Sequence, residues 1–279
     1  MIYAFSPEGV ACLAAVLATD PLLAFDIDGT LAPIVERPDE ARLPDAVQQC
    51  LAELARRFDI AIITGRGVDD ARRMLSFTPR YLIGNHGIEG LPGAAARPAE
   101  LARTVAAWHE ALAASEPLAA AGVTLEDKRY SLSLHYRRAE NPARAHRAIL
   151  DAVAGLAPAP RVIPGKAVVN LLPFGAPDKG DAIRALIEET GCSNVLYVGD
   201  DDTDETVFGL NLPSVLTLRV EPAADSAAAL FLRDQREVLM LIRHIAARLG
   251  VHGESSASSR TVVHFVTALL FWLSCTRSS

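Results

Sequence analysis

Two aspartates stand one residue apart at the end of an apolar stretch, and their spacing suggests chemistry. Residues 22–31 read Leu-Leu-Ala-Phe-Asp-Ile-Asp-Gly-Thr-Leu, so a segment of strand length ends at Asp26 and Asp28. Alternate residues of a strand point to the same face, which aims both carboxylates the same way. Carboxylates this close repel each other, and a metal ion or a shared proton relieves the repulsion. Gly29 permits a sharp turn out of the strand, and the Thr30 hydroxyl can satisfy the freed backbone groups.

The same Asp-x-Asp-Gly pattern also occurs in calcium-binding loops, which is an alternative interpretation. Such loops need further oxygen ligands and a closing glutamate at fixed spacing. Here the apolar residues 31–34 follow instead, so we expect no calcium loop.

Two further strand-like segments, 59–63 and 195–199, also end in polar side chains. In a parallel α/β sheet, ligands bind beyond the carboxyl ends of the strands, so clusters far apart in sequence are expected to meet there. A hard cation would offset the repulsion among carboxylates, and Mg²⁺ suits a site that is completed by phosphate oxygens. The side chains that follow these two segments are Thr64, Asp200, Asp201 and Asp204.

The order of elements predicts the fold class. Apolar strands alternate with helices near both ends of the chain, which is typical of a parallel sheet covered on both sides. Between them, residues 123–128 and 130–137 alternate with period two, as antiparallel strands with one solvent-facing side do. We therefore predict an α/β protein with a Rossmann-like parallel-sheet core formed by 1–95 and 175–250. An α+β domain is expected to be inserted at 96–174.

The last segment, 251–279, is predicted to be an appended tail. It has a Ser-rich joint followed by an apolar run at 262–274. A helix that spans a bilayer needs about 20 apolar residues, so we expect no transmembrane span.

The bulk composition limits the class of partner. The chain has 279 residues, a net charge of −7 and a sequence pI near 5.5, which argues against nucleic acid. Its four cysteines lack the spacing of a zinc site or a disulfide framework, so we expect a reducing, cytoplasmic environment. The oligomeric state stays open, and a monomer is compatible with the sequence.

The strand-end clusters resemble the motifs of the haloacid dehalogenase superfamily of phosphotransferases. Residues 25–31 look like the first motif, Thr64 the second, Lys179 the third and 199–201 the fourth. A closer resemblance is to the trehalose-6-phosphate phosphatase family, whose signature is similar to Gly-Asp-Asp-Asp-Thr-Asp-Glu at 199–205. The other segments that resemble this family are 84–89, 126–128, 134–137 and 165–166.

This resemblance implies a Mg²⁺-dependent phosphomonoester hydrolase that converts trehalose 6-phosphate into trehalose and phosphate. Asp26 would attack phosphorus and form an aspartyl phosphate. Asp28 would protonate the leaving oxygen and then activate the hydrolytic water. Thr64 and Lys179 would donate to the transferring phosphoryl group. The implied metal ligands are Asp26, Asp28 through its backbone carbonyl, Asp200, Asp201 and Asp204.

The inserted domain resembles the cap that closes over the sugar in this superfamily. The spacing of Glu126 and Lys128 is equally compatible with a cross-strand ion pair on a solvated face. The substrate-binding residues implied by the resemblance are Asp26, Ile27, Asp28, Thr64, Gly65, Arg66, His86, Glu126, Lys128, His135, Arg137, Lys166 and Asn170.

One departure from the family pattern bears on the substrate. The family usually has an acidic residue four positions after the lysine at 166 and a basic residue two positions further, whereas this chain has Asn170 and Leu172. An amide accepts fewer hydrogen bonds than a carboxylate and also donates, so the site should discriminate less sharply among sugars.

Three other readings differ from hydrolysis of trehalose 6-phosphate. A phosphatase of another sugar or polyol phosphate keeps the chemistry and changes the substrate. A catalytically silent sugar-phosphate-binding regulator is expected to lack the nucleophile or the acid, and this chain retains both. A phosphorylated receiver module is disfavoured by the length of the chain and by the inserted domain.

Overall fold

The computed structural model describes residues 1–35, 37, 40–91, 98–165 and 167–252, with residue 98 and residues 248–252 described by their backbone alone. Three expectations fall on other residues and lie outside this description. They are the role of Lys166, the domain boundary at residue 95, and the tail from residue 253 onward.

The elements follow one another in this order. The strands are β1 (Ile2–Tyr3), β2 (Leu22–Phe25), β3 (Ile60–Ile63), β4 (Tyr81–Ile83), β5 (Thr124–Asp127), β6 (Leu132–His135), β7 (Arg161–Gly165), β8 (Val168–Leu172), β9 (Val195–Gly199), β10 (Val215–Val220) and β11 (Leu230–Leu232). The helices are α1 (Pro7–Leu17), α2 (Asp45–Leu54), α3 (Val68–Met74), α4 (Pro98–Ala113), α5 (Glu116–Ala120), α6 (Pro142–Val153), α7 (Lys179–Thr190), α8 (Glu205–Phe208) and α9 (Arg236–His252).

A parallel sheet forms the core of the fold. In the described part of the chain it has seven strands in the order β1-β11-β10-β9-β2-β3-β4. Strand β2 lies between β9 and β3 and pairs with both in parallel register. The residues that follow these three strands are therefore neighbours at one edge of the sheet. The prediction of an α/β parallel-sheet core is confirmed.

Both faces of this sheet are buried, which explains the continuous apolar strands. Successive side chains of β2 point to opposite faces. Leu23 and Phe25 pack with apolar side chains of α1, α2 and α9. Leu22 and Ala24 pack on the other side with side chains of α7 and α8.

A second sheet carries four antiparallel strands in the order β5-β6-β8-β7, within the residues described. It has its own apolar cluster, in which Trp108 of α4 and Ile149 of α6 pack against Leu134 of β6. The expected solvent-facing side of 130–137 is wrong for two residues. Ser131 and Ser133 are fully buried. The Ser131 hydroxyl contacts Asn85 in the turn after β4, and the Ser133 hydroxyl contacts Asn170 on the neighbouring strand β8.

Over the described ranges, no helix has both the length and the apolar character needed to cross a membrane.

Candidate active site

A cleft of about 340 Å³ lies between the carboxyl ends of the parallel strands and the second sheet. Its floor comes from the loops after β2, β3 and β9, and its roof from β5, β6 and β8. The predicted site residues that line it are Asp26, Asp28, Gly65, Arg66, His86, Glu126, Lys128, His135, Arg137, Asn170, Lys179, Asp200 and Asp201. The fold thus brings together most of the residues that were singled out in the sequence.

Asp26 and Lys179 form a buried ion pair at the floor of the cleft. Asp26 directly follows β2, and its Oδ1 lies 3.2 Å from Nζ of Lys179. Lys179 is the first residue of α7, whose start is fixed by a capping box between Asp178 and Asp181. Burial alone would lower the pKa of Lys179, but the carboxylates of Asp204 and Asp26 raise it, so the ammonium stays charged.

The Asp204 carboxylate holds the loop after β9 in place. Its Oδ1 accepts hydrogen bonds from Nζ of Lys179 at 2.8 Å and from the Tyr197 hydroxyl. Its Oδ2 accepts from the backbone N–H groups of Asp200 at 2.8 Å and Asp201 at 3.0 Å. Because both oxygens are engaged, this carboxylate anchors the loop that presents Asp200.

Three carboxylate oxygens, from Asp26, Asp200 and Asp204, lie within 4.8 Å of one another. Asp26 Oδ1 is buried and accepts no hydrogen bond within the described part of the chain. Burial raises the pKa of Asp26 well above its ordinary value, Lys179 opposes the rise, and the carboxylates of Asp204, Asp201 and Asp200 add to it. A bound cation would stabilise the ionised form of such a group, so the donor set fits a divalent metal held by Asp26 and Asp200.

Gly29 allows the close approach of the two acidic loops. Its φ is +84°, and a Cβ at this position would lie 2.0 Å from Oδ2 of Asp200. A side chain would therefore force Asp200 away from the floor of the cleft. Glycine is therefore required at position 29 by the close approach of Asp200, which the sequence pattern alone did not reveal.

Asp28 is held by an arginine. The Arg66 guanidinium donates from Nε to Asp28 Oδ2 at 2.6 Å and from Nη2 to Asp28 Oδ1 at 2.7 Å. Its Nη1 donates to Asp70 Oδ2, also at 2.6 Å. The Asp28 side chain is 40% exposed while that of Arg66 is 8% exposed. The carboxylate is therefore accessible from the cleft, and the guanidinium that holds it is buried.

Ile27 and Thr64, like Asp204, do not line the cleft. Both are fully buried. The Thr64 hydroxyl accepts a hydrogen bond from the backbone N–H of Arg66 at 3.2 Å, which leaves its own O–H available as a donor. The side chain of Ile27 packs in the core, so any contact with a substrate would come from its backbone.

The His86 imidazole lines the cleft and makes no hydrogen bond to any described residue, although the backbone N–H of His86 donates to the carbonyl oxygen of Thr64 at 3.0 Å. Both of its ring nitrogens are buried and unsatisfied, and its φ is +59° in a short turn after β4. Its ring lies against Gly65, where a Cβ would be 2.5 Å from Cε1 of His86. Burial and the nearby charges of Lys128 and Lys179 lower the pKa of His86, so the ring is neutral.

Glu126 and His135 form the central polar pair of the roof. Nε2 of His135 lies 2.7 Å from Oε2 of Glu126, and Nζ of Lys128 lies 3.7 Å from the same oxygen. Burial alone would raise the pKa of Glu126, but the His135 hydrogen bond and Lys128 lower it to about 2. Glu126 and Lys128 do form the ion pair of the alternative interpretation, but not across strands, because Glu126 lies in β5 opposite Ser133 and Lys128 directly follows the same strand.

Asn170 and Arg137 occupy opposite ends of the roof. Oδ1 of Asn170 accepts a hydrogen bond from the Ser133 hydroxyl at 2.7 Å, so the amide nitrogen is its remaining donor. Arg137 reaches across to the backbone carbonyl of Val35 at 3.5 Å.

Several residues that support the site were missed in the sequence. The Ser131 hydroxyl donates to Asn85 Oδ1 at 2.9 Å, and Arg161 Nη1 donates to Asp178 Oδ2 at 3.1 Å, so both contacts join the second sheet to the loops of the first. Asp70 supports Arg66, as described above. Ser131 and Arg161 have partners 46 and 17 residues away, so no spacing signal marks them, whereas Asp70 lies only four residues after its partner Arg66.

The fold and the arrangement of the site define a class of protein. The solved structure of a trehalose-6-phosphate phosphatase related protein aligns with a TM-score of 0.67 and 24% identity, over 84% of this chain and 100% of that chain. At this level of identity, the alignment supports a shared fold and nothing further. The chain has the haloacid dehalogenase fold, with a parallel-sheet core and a second sheet over its active edge.

Comparison of sequences narrows this class to a family. The trehalose-phosphatase family matches residues 24–229. Trehalose 6-phosphate phosphatase RA3 of Zea mays is 30% identical over 264 residues, which is 85% of this chain and 73% of that protein. The chain belongs to the trehalose-phosphatase family.

The length of another relative differs greatly from that of this chain. An uncharacterized glycosyl hydrolase of Mycobacterium tuberculosis is 34% identical over 199 residues, which is 67% of this chain but 15% of that protein. The chain therefore spans only a small part of that relative.

Proposed function

We propose that this chain is a Mg²⁺-dependent phosphatase that hydrolyses trehalose 6-phosphate to trehalose and phosphate. The observation that carries the proposal is the Asp26 carboxylate at the floor of a cleft, whose Oδ1 lies 3.2 Å from Nζ of Lys179 and accepts no hydrogen bond from the described residues. Asp28 faces the same cleft, so a nucleophile and a proton donor share one substrate volume. Membership in the trehalose-phosphatase family supports the substrate.

In the first step, an Asp26 oxygen attacks phosphorus while the bond between phosphorus and the sugar oxygen breaks. The electron pair of that bond goes to the sugar oxygen, which takes a proton from the Asp28 carboxyl group. The products are the free sugar and an aspartyl phosphate on Asp26. Lys179, charged and within reach of Asp26, stabilises negative charge on the transferring group.

In the second step, water attacks the phosphorus of the aspartyl phosphate and gives a proton to the Asp28 carboxylate. The bond between phosphorus and Asp26 breaks, so phosphate leaves and both carboxyl groups return to their starting states. Thr64, whose hydroxyl hydrogen is available, would act as a further donor.

Asp26 and Asp200 are the side chains that we propose as metal ligands, together with the backbone carbonyl of Asp28. Mg²⁺ held there would screen the carboxylates and stabilise charge on the phosphoryl oxygens. We assign Asp204 to the loop anchor, because four hydrogen bonds occupy its oxygens, and Asp201 to the same acidic loop.

The roof of the cleft is proposed to bind the sugar. Glu126 stays ionised as an acceptor for hydroxyl groups, and His86 offers neutral ring nitrogens that no described residue satisfies. Lys128, His135, Arg137 and Asn170 would complete the polar lining, as would Lys166. In this proposal residues 96–174 act as the cap of a core formed by 1–95 and 175–250. The separate apolar cluster of the second sheet supports this division.

A second candidate is a phosphatase of another sugar or polyol phosphate. The observation that favours it is Asn170, whose oxygen already accepts a hydrogen bond from Ser133 and whose amide nitrogen can only donate. A carboxylate at this position would accept from sugar hydroxyls instead. The location that we propose is cytoplasmic, which the free thiols of Cys50 and Cys192 support.

The test is phosphate release from trehalose 6-phosphate, glucose 6-phosphate and sucrose 6-phosphate, with Mg²⁺ and with a chelator. We expect fast release from the trehalose ester in Mg²⁺ alone, and a loss of at least about 1,000-fold in Asp26→Asn with the fold retained. Faster release from another ester would move the substrate to the second candidate. No release from any ester, with tight binding of one of them, would indicate a silent regulator.

A further inference from the structure

We infer that Asp70 is a positioning residue for the proton-transfer step, and that it acts through Arg66 on Asp28. This inference rests on the proposed function, because it assigns Asp28 to the transfer of the proton. It concerns a residue outside the family motifs and outside the cleft lining.

The geometry forms a continuous chain from the surface of α3 to the cleft. Asp70 Oδ2 accepts from Arg66 Nη1 at 2.6 Å, and Arg66 donates to both oxygens of Asp28 at 2.6 and 2.7 Å. Asp70 lies four residues after Arg66, in the first turn of α3. The guanidinium is therefore held at one edge by Asp70 and presents its other edge to Asp28.

This arrangement fixes the plane of the Asp28 carboxylate. A guanidinium fork that donates two parallel hydrogen bonds sets both the distance and the orientation of its partner, which a single ammonium does not. A carboxylate has about four lone-pair positions, so two of them stay available for the transferred proton. The backbone N–H of Arg66 is also tied to Thr64, which keeps the arginine in register with β3.

This geometry assigns three of the five N–H groups of Arg66 to Asp28 and Asp70, which favours positioning of Asp28 as its main role. The donating nitrogens are Nε, Nη1 and Nη2. A phosphate that displaced Asp28 from the fork would release the group that must protonate the leaving oxygen. The two roles predict different kinetics, since loss of a ligand raises KM and loss of positioning lowers kcat.

The neighbouring Asp69 supplies a matched control. It lies in the same first turn of α3 and carries the same charge, but it pairs only at the surface with Arg72, at 2.8 Å. Asp70→Ala and Asp69→Ala therefore remove equal charge from the same helix end, and only the first removes the support of Arg66. Arg73→Gln controls for the second partner of Asp70, an exposed arginine at 3.1 Å.

The experiment measures kcat and KM of these variants on trehalose 6-phosphate and on p-nitrophenyl phosphate. A sugar alkoxide must be protonated as it leaves, whereas p-nitrophenolate is a stable anion. A misplacement of about 1 Å costs up to about 100-fold, so we expect Asp70→Ala to lose roughly tenfold in kcat on the sugar ester, with KM within about twofold. The loss on the aryl ester should be about threefold or less, and Asp69→Ala and Arg73→Gln should stay within about twofold on both.

Further variants make the result decisive. Asp70→Glu should recover part of the lost kcat, because it restores an acceptor for Arg66. Arg66→Lys, which lacks the fork, should show the same contrast between the two esters, and it replaces Asp70→Ala if that protein does not fold. Equal losses on both esters, or a rise in KM alone, would overturn the inference while the proposed function stands. A wild-type protein that hydrolyses neither ester would overturn the proposed function and this inference together.

Discussion

At the scale of single residues, Asp204 shows how a carboxylate can serve a site by holding its parts. It accepts from Lys179, from Tyr197 and from two backbone N–H groups, and it is fully buried. The loop after β9 carries Asp200 and takes its shape from these bonds. The identity of residue 204 therefore controls the position of residue 200.

This leads to a prediction for Asp204→Asn. An amide turns one acceptor into a donor, so at least two of the four donors around it lose their partner. We expect the free energy of unfolding to fall by about 3 kcal/mol, because buried donors are left unsatisfied and Lys179 loses a buried charge partner. Hydrolysis should fall at least about tenfold, since Asp200 is released. Urea unfolding followed by circular dichroism, with phosphate release, measures both effects.

The control for this variant is Asp202→Asn, two residues away and exposed. Its unfolding free energy should change by less than about 0.5 kcal/mol. An Asp204→Asn protein as stable as this control would contradict the assigned role.

The candidate site residues at the strand ends could be predicted from the sequence, because the pattern that marks them is local. Asp26, Asp28 and Asp200 stand where an apolar run stops, a pattern that needs no tertiary information. Supporting residues such as Ser131 and Arg161 were missed, because their partners lie on other elements and their own surroundings are unremarkable in sequence. Their role depends on contacts that only the fold creates.

At the scale of elements, the position of α7 depends on the turn after β4. Gly87 has a φ of +118°, and a Cβ there would lie 2.3 Å from the backbone carbonyl oxygen of Asp178. Asp178 is the N-cap of α7, and Lys179 follows it directly. The turn and the helix start are therefore in direct backbone contact.

We predict that Gly87→Ala shifts the start of α7 and displaces Lys179. The variant combines an unfavourable backbone conformation, which costs about 1–3 kcal/mol, with a collision against a backbone atom. We expect lower stability and at least a tenfold loss of kcat, by analogy with the cost of about 100-fold for a displacement near 1 Å. Thermal unfolding and steady-state hydrolysis measure the two quantities.

Gly191→Ala separates strain from collision. Gly191 ends α7 with a φ of +62°, and a Cβ there would meet no atom within 4 Å. We expect a loss of roughly 1 kcal/mol in stability from the left-handed conformation, with kcat unchanged. If Gly87→Ala kept full activity, the contact with Asp178 would not position Lys179.

The elements that the sequence missed are the shortest ones. Strands β1 and β11 have two and three residues, and α5 has five, so hydrophobic periodicity has too few positions to appear. By contrast, the strand-like segment predicted at 195–199 coincides with β9, because its apolar run is long enough to be recognised in the sequence.

At the scale of the whole molecule, the second sheet has an apolar cluster of its own, separate from the two clusters on the faces of the parallel sheet. A small cluster lies between the two parts and contains Ile88, Tyr130, Leu172 and Ala176. The parallel sheet packs with its helices, while α4 and α6 pack on the second sheet around Trp108 and Leu134. Polar contacts such as Arg161–Asp178 join the two parts. Such an arrangement favours partly independent opening of the two regions.

We predict that Leu134→Ala weakens the second sheet more than the first. Leu134 is fully buried in β6, and its truncation should cost about 2–5 kcal/mol. Hydrogen exchange should become faster in β6 and β8 and stay nearly unchanged in β9. Leu150→Ala on α6 is the control, because Leu150 is 44% exposed. Equal acceleration in β9 would mean that the two sheets open as one unit.

The burial of Lys179 has a consequence for covalent labelling. The chain has three lysines, and the side chain of Lys179 is 1% exposed and paired with two carboxylates. Acetylating reagents attack amines that are neutral and accessible. In the folded protein the Lys179 amine is charged and buried, so it meets neither condition. Acetylation of Lys179 therefore requires the ion pair to open, so its rate, followed by mass spectrometry, reports how often the floor of the cleft is exposed to solvent.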